Sequence, residues 1–309
     1  MTDPTTASAL ASPTVLRFSG PILPDGEAGD LYAVDGRVTY EAQPGAELGA
    51  SGWIVPGLVD AHCHIGLDDH GPTTVAEAER QALADRDGGA LLIRDAGSAL
   101  DTSWIHGRED LPRLIRCGRH LARSARYIRN YAYEVEPEEL AAYAAQEAQR
   151  GDGWVKLVGD WISRDEGDLL PSFPAEAFAA AIAAAHEHGA KVTAHCFGEH
   201  VLPGLIAAGI DCIEHGTGLS TDLIEEVVAR GTALVPTVMQ TDKFPEYIAA
   251  GAQRFPAWPA WTTSSGAAGT HGGVRRPSPL PPARTAAGQT STATSSARSY
   301  GHGRDGAAR

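Results

Sequence analysis

The sequence predicts an α/β fold: a (β/α)8 barrel of the TIM type, incomplete at its C-terminal end and preceded by a group of short strands. Three observations predict it. From Trp53 onward, apolar strand-like runs alternate with helical segments rich in Ala and Glu, the pattern of a parallel sheet covered by helices. Seven such strands can be placed between residues 54 and 238. Candidate site residues stand at or near the C-terminal ends of several different strands, which fits a barrel better than an open sheet.

Residues 1–12 read as disordered. They have neither the basic region nor the apolar core of a signal peptide. Within 13–52, residues 14–18, 30–34 and 37–40 read as short strands separated by turns such as Asp35-Gly36. Short strands joined by tight turns do not form a βα unit. The incomplete barrel occupies 53–256. Its strands are expected at 54–61, 90–94, 114–117, 154–158, 191–195, 210–214 and 232–238. Helices are expected at 74–85, 137–150, 174–188 and 221–229. Pro137 and Pro174 sit near first-turn positions, and Gly151, Gly189 and Gly231 follow the last periodic residues.

The tail, 257–309, has a different character. Residues 261–309 hold six Arg, no Lys and one acid, Asp305, with one Val, one Leu and no Ile. Such a segment cannot bury enough apolar surface to offset its ordering entropy, so it reads as disordered. It is either a natural flexible tail or the product of a shifted reading frame in a GC-rich gene. Out-of-frame GC-rich codons yield Ala, Gly, Pro and Arg, and the second account is preferred.

A net charge of −14 argues against a nucleic-acid partner, because phosphate contacts need clustered Lys and Arg. The acidity reads as a solvated surface. None of the four cysteines, Cys63, Cys117, Cys196 and Cys212, has Cys-x-x-Cys spacing, so a thiolate zinc site or redox pair is not expected; they read as small buried residues. No run approaches the roughly 18 apolar residues of a membrane span. A cytoplasmic protein with no membrane association is the expectation.

The chemistry begins at Val59-Asp60-Ala61-His62-Cys63-His64. Side chains in a strand alternate faces, so His62 and His64 point the same way and make a chelate for a divalent metal. Lys156 lies inside an apolar strand on the face of Trp154 and Val158, where a free cation is costly to bury. It needs either an acid partner such as Asp160 or another chemical form. His195 and His215 precede Cys196-Phe197-Gly198 and Gly216-Thr217-Gly218, at strand ends where barrel active sites lie. His186 and His188 fall on different faces of a helix. His70, His106, His120 and His200 read as solvated loop or helix-start residues, and His271 and His302 lie in the tail.

Pro56-Gly57-Leu58-Val59-Asp60-Ala61-His62-Cys63-His64, Trp154-Val155-Lys156-Leu157-Val158-Gly159-Asp160, Val192-Thr193-Ala194-His195 and Cys212-Ile213-Glu214-His215-Gly216 together resemble the metal-dependent amidohydrolase superfamily, over roughly residues 14–256. The likeness is greatest to its binuclear branch, the imidazolonepropionase-like and prolidase-like members. The resemblance implies a small β-sandwich portion at 13–52. It also implies a metal set of His62, His64, Lys156, His195 and His215 holding one or two divalent ions, zinc above all. Lys156 would be carboxylated to a bridging carbamate, and His195 and His215 would serve the second ion.

The implied activity is hydrolysis of a carbon–nitrogen bond, an amide or dipeptide-type bond of a small-molecule substrate. A mononuclear deaminase would use similar histidines without a carbamate, and Lys156 argues against it. One element of the pattern is absent: an Asp after the eighth strand, inside a Gly-Thr-Asp-Ala-Gly-like run. The resemblance places helix seven and strand eight where the tail begins. No residue is assigned as catalytic, activity is expected to be impaired, and the alternative is an inactive truncated barrel or metal-binding remnant.

Overall fold

The computed structural model describes residues 15–68, 70–163 and 165–244. The expectations for 1–12 and 257–309 lie outside the described residues. The chain divides into two compact units, the first ending at Gly57 and the second starting at Leu58.

The first unit is built on one four-stranded sheet. Strand β1 (Leu16–Ile22) pairs antiparallel with β2 (Glu27–Val34), which pairs antiparallel with β3 (Arg37–Thr39); β4 (Glu47–Ser51) adds to β1 in parallel. Asp35 and Gly36 both have positive φ, at 49° and 73°. That is the turn that matches the natural twist of a two-residue hairpin, and Asp-Gly is the dipeptide that tolerates it. The strand expected over 54–61 is shorter at its start. Pro56 has no N–H to donate, and Ile54 instead pairs singly with Ile22 in the first unit.

The second unit is mixed α/β with mainly parallel sheets. Strand β5 (Leu58–Cys63) is followed by the two-residue strands β6 (Leu67–Asp68) and β7 (Gly71–Pro72). Helix α1 (Val75–Asp87) leads to β8 (Ala90–Asp95) and β9 (Arg113–Arg116). Strands β5, β8 and β9 form one parallel sheet in that order. Next come β10 (Leu121–Arg123), β11 (Tyr133–Val135), α2 (Leu140–Arg150), β12 (Trp154–Val158) and the hairpin of β13 (Asp160–Ile162) with β14 (Leu169–Pro171). Helix α3 (Ala175–Glu187), β15 (Lys191–Cys196), α4 (Leu202–Ala207), β16 (Cys212–His215), α5 (Thr221–Arg230), β17 (Ala233–Val235) and α6 (Val238–Thr241) complete the described chain. A six-stranded parallel sheet runs β11-β10-β12-β15-β16-β17. The strand expected over 232–238 is thus halved. Thr237, at φ 40°, turns the chain, and α6 starts at Val238.

The pleat sorts the six-stranded sheet into two faces. Val155, Leu157, Val192, Ala194 and Ile213 point to the helices, where they pack with Leu140, Phe178, Ile182, Leu205 and Ile206. Lys156, Thr193, His195 and Glu214 occupy the alternate positions and are buried on the other side. Cys117, Cys196 and Cys212 are buried and Cys63 is half-buried. Among the described residues no helix is long and apolar enough to cross a membrane.

Candidate functional site

Strand ends from both parallel sheets meet at Glu214. Its carboxylate, wholly buried, lies against Nδ1 of His62 and accepts from Arg94 Nη2 at 2.6 Å and from Thr193 Oγ1 at 2.5 Å. Burial alone would raise its pKa, but His62, Lys156 and Arg94 together hold it well below the usual glutamate value. Arg94 is clamped from the other side by the Trp154 ring, 4.4 Å from its guanidinium carbon, and donates to the Ala61 carbonyl at 2.9 Å. Sequence patterning missed Glu214 although it lies inside a motif quoted for its neighbour.

That neighbour, His215, does not follow the pleat. Two residues after the helix-facing Ile213, it would turn away from Glu214's side. Its φ of 68° is left-handed, a region costly to a residue with a Cβ, and Gly216 continues the turn at φ 63°. The inversion brings its ring 4.5 Å from that of His195 and 5.1 Å from that of His62. His215 Nε2 stands 2.9 Å from His195 Nδ1, and its Nδ1 stands 2.7 Å from Thr237 Oγ1.

The structure brings the sequence-predicted residues together. The rings of His62 and His64 are 5.2 Å apart. His64 extends one residue past β5, and its Nδ1 is 2.8 Å from the Gly97 carbonyl. Six rings close a circuit, His62–His64–His120–Tyr127–His195–His215, with neighbouring centroids 4.5–5.8 Å apart. Trp161, 5.3 Å from the His195 ring, and Phe197, 4.4 Å from it, flank that side. Lys156 is close enough for its charge to depress His64, His120, His195 and His215. Burial depresses them first: His64 falls to about 3, and the other three fall well below the ordinary imidazole value.

Lys156 has no hydrogen-bond partner at Nζ, and burial lowers its pKa, so the pairing with Asp160 is not formed. Asp160 accepts instead from the backbone N–H groups of Phe197 and Gly198. Burial raises it to about 7, and its Oδ1 lies 4.0 Å from the unpartnered Nε2 of His195, too far for a hydrogen bond. His120, expected in a solvated loop, is fully buried between His64 and Tyr127. His106 and His186 fit their solvated reading, each beside an aspartate at 3.0 and 2.8 Å.

The donor set suits a borderline divalent cation: several neutral imidazoles, a carboxylate and a buried amine with nothing to pair it. Ring nitrogens of His195 and His215 face one another, and His62 faces Glu214. As these side chains stand, no three His, Cys, Asp or Glu among the described residues gather around one point.

No family model matches the chain. An uncharacterized protein of Mycobacterium tuberculosis is 55% identical over 247 residues, 79% of this chain. The chain spans 66% of that relative's length, just under two thirds. Among solved structures, an amidohydrolase superposes with a TM-score of 0.66 at 20% identity, covering 84% of this chain and 74% of its own. A prolidase complexed with N-methylphosphonate-L-proline superposes with a TM-score of 0.60 at 18% identity, covering 82% and 73%. At such identities the likeness is one of fold, and the fold this chain carries is that of the amidohydrolases.

Proposed function

We propose that the histidine cluster is the metal centre of a hydrolase that cleaves a carbon–nitrogen bond in a small amide or dipeptide-like substrate. In this reading the two parallel sheets are arcs of one (β/α)8 barrel, with the cluster at the C-terminal ends of its strands. The observation that supports it most directly is the ring circuit together with a buried lysine whose charge acts on its histidines and whose Nζ has no hydrogen-bond partner. Glu214 is within electrostatic reach of Lys156 but hydrogen-bonds to Arg94, so no acid is bonded to the lysine's Nζ. The amidohydrolase and the prolidase of like fold support the same reaction class.

His62, His64, His195, His215 and Lys156 would hold one or two divalent ions, zinc being suited to imidazole and anionic oxygen. Bound there, a metal lowers the pKa of a water molecule and polarises a carbonyl. Lys156 suits a second role. As a neutral amine, its nitrogen adds to the carbon of CO2 and releases one proton, leaving a carbamate anion. Burial, which disfavours the ammonium, favours the neutral amine that reacts. The Gly97 carbonyl and Thr237 hydroxyl fix the His64 and His215 rings through Nδ1, which leaves Nε2 of His64 as the outward donor. Tyr127, Trp161 and Phe197 form an apolar wall beside His195 that shields the site from water.

The sequence holds no Gly-Thr-Asp-Ala-Gly-like run, which carries the proton-transferring Asp in the proteins it resembles. General acid–base catalysis is typically worth about 10²–10⁴-fold. This absence favours a second reading, a metal-binding barrel with impaired or no turnover. Both readings are tested together by the zinc content of the purified chain and its turnover of a panel of dipeptides and cyclic amides. Stoichiometric zinc, lost in His62→Ala and His64→Ala, is the expected result, with turnover well under about 1 per second. A wild-type chain that takes up no zinc would overturn the metal reading. Turnover in the ordinary enzyme range would overturn the impaired one.

A further inference from the structure

His120 lies between β9 and β10, outside every motif that carries the resemblance, yet it completes the ring circuit. Its side chain is fully buried, and neither Nδ1 nor Nε2 has a hydrogen-bond partner. The other imidazoles of the circuit each have at least one ring nitrogen engaged: His62 with Glu214, His64 with the Gly97 carbonyl, His195 with His215. Burying an imidazole with both nitrogens bare is unfavourable, and a purely structural role would be filled better by an apolar side chain.

The ring is nevertheless held firmly. Tyr127 and Tyr131 stand 5.2 and 6.1 Å from it, centroid to centroid. Gly97, at φ 119°, packs so closely that a Cβ there would come within 2.8 Å of the imidazole. The main-chain carbonyl of His120 accepts from Tyr133 N at 2.8 Å. The His64 ring is 5.1 Å away. A polar group fixed in place beside a candidate ligand and left without a hydrogen-bond partner is arranged for a ligand.

We propose that His120 is a substrate-contact residue, whose ring N–H donates to the carbonyl oxygen of the amide held at the cluster. This rests on the reading of the cluster as a hydrolytic metal centre. An imidazole carries at least one N–H in every protonation state it adopts in water, so the role does not depend on its titration. A donor fixed before the substrate arrives holds the oxygen most strongly as that oxygen gains negative charge on attack at the carbon.

The test uses the full chain with added Zn²⁺ and N-methylphosphonate-L-proline, whose phosphonate oxygens stand in for that charged oxygen. His120→Leu keeps the volume and removes both nitrogens; His120→Asn restores a donor near Nδ1. Zinc content, probe affinity by calorimetry and melting temperature are read on all three proteins. The expected result is equal zinc in all three and probe binding weakened about 10–100-fold in the Leu variant, the range for hydrogen bonds to a charged group. The Asn variant should recover part of that loss, and the Leu variant should melt at or above the wild-type temperature. Probe affinity within twofold of wild type in the Leu variant would overturn the proposal, as would a zinc-loaded wild type that binds no probe. Zinc lost from the Leu variant would make His120 a metal ligand, and a lowered melting temperature restored by Asn would make it part of the scaffold. Either outcome overturns the proposal while leaving the metal reading intact. Zinc absent from the wild type would overturn both.

Discussion

Glu214 is the residue on which the charges of the site balance. It is wholly buried and serves Arg94, Thr193 and His62 together. Replacing it with Ala would leave the Arg94 guanidinium buried and unpaired. Breaking a buried pair on one side costs about 3–5 kcal/mol, and urea denaturation of Glu214→Ala should show a loss of that size. A loss under about 1 kcal/mol would mean that Arg94 finds another partner. The sequence pointed to His62, His64, His195, His215 and Lys156 because each residue type is conspicuous within or at the end of an apolar strand. Glu214 escaped because strict alternation admits only one of two neighbours to a face. His120 escaped because it follows Cys117-Gly118-Arg119 in a short link. A signal was present all the same: that link starts at a strand end, which the barrel pattern makes a place to look.

At the scale of elements, the strands that packing buries on both faces were legible from their apolar runs, and 154–158 coincides with β12. The helices were legible from their Ala- and Glu-rich runs and, for some, from the Pro and Gly at their ends. Thr74 precedes α1, and its Oγ1 accepts from Glu77 N at 3.2 Å. Thr74→Ala should therefore destabilise the protein by about 1 kcal/mol, the usual worth of such a cap; an unchanged urea midpoint would count against it. In α3, Phe178 is buried against Phe173 and the helix-facing side of the sheet. Phe178→Ala should cost about 3–5 kcal/mol by the same measurement. Besides β4, whose five residues are all exposed, the pieces that sequence did not yield are short: β6, β7, β10, β11 and the β13–β14 hairpin. Strands of two or three residues carry no readable period, and tertiary pairing alone defines them. Helix α4, with Pro203 and Gly204 in its first turn, has the residues that usually argue for a loop.

For the whole molecule, the buried titratable groups set how the metal-free protein responds to pH. Burial holds His64 at about 3 and His120, His195 and His215 well below 6.5, the value near which each titrates when unfolded. Below about 6.5 the unfolded chain binds more protons at these sites, so stability falls as pH falls. Burial also raises Asp160 to about 7 and Asp95 to about 8, from 3.8. There the folded chain binds more protons, and stability falls as pH rises from 3.8 toward 7–8. The four imidazoles outweigh the two carboxyls below about 6.5; above it the carboxyls lower stability up to about 8, and Lys156, whose pKa burial lowers, opposes them only above its folded value. The expected stability maximum is near pH 6.5, measured by urea denaturation across about pH 4–9. A maximum at about pH 8 or above would show that Asp95 and Asp160 are ionised in the folded protein.

The left-handed turn at His215 has a consequence for how this strand end tolerates change in length. A pleated strand normally delivers one residue in two to a cavity. By inverting a single φ, β16 delivers Glu214 and His215 in succession, one to Arg94 and one to His195. Two neighbours in the text therefore hold opposite phases of the pleat at the same wall. Deleting or inserting one residue within 212–216 cannot be absorbed by sliding the strand. Any slide that restores one of the pair sends the other into the packed helices.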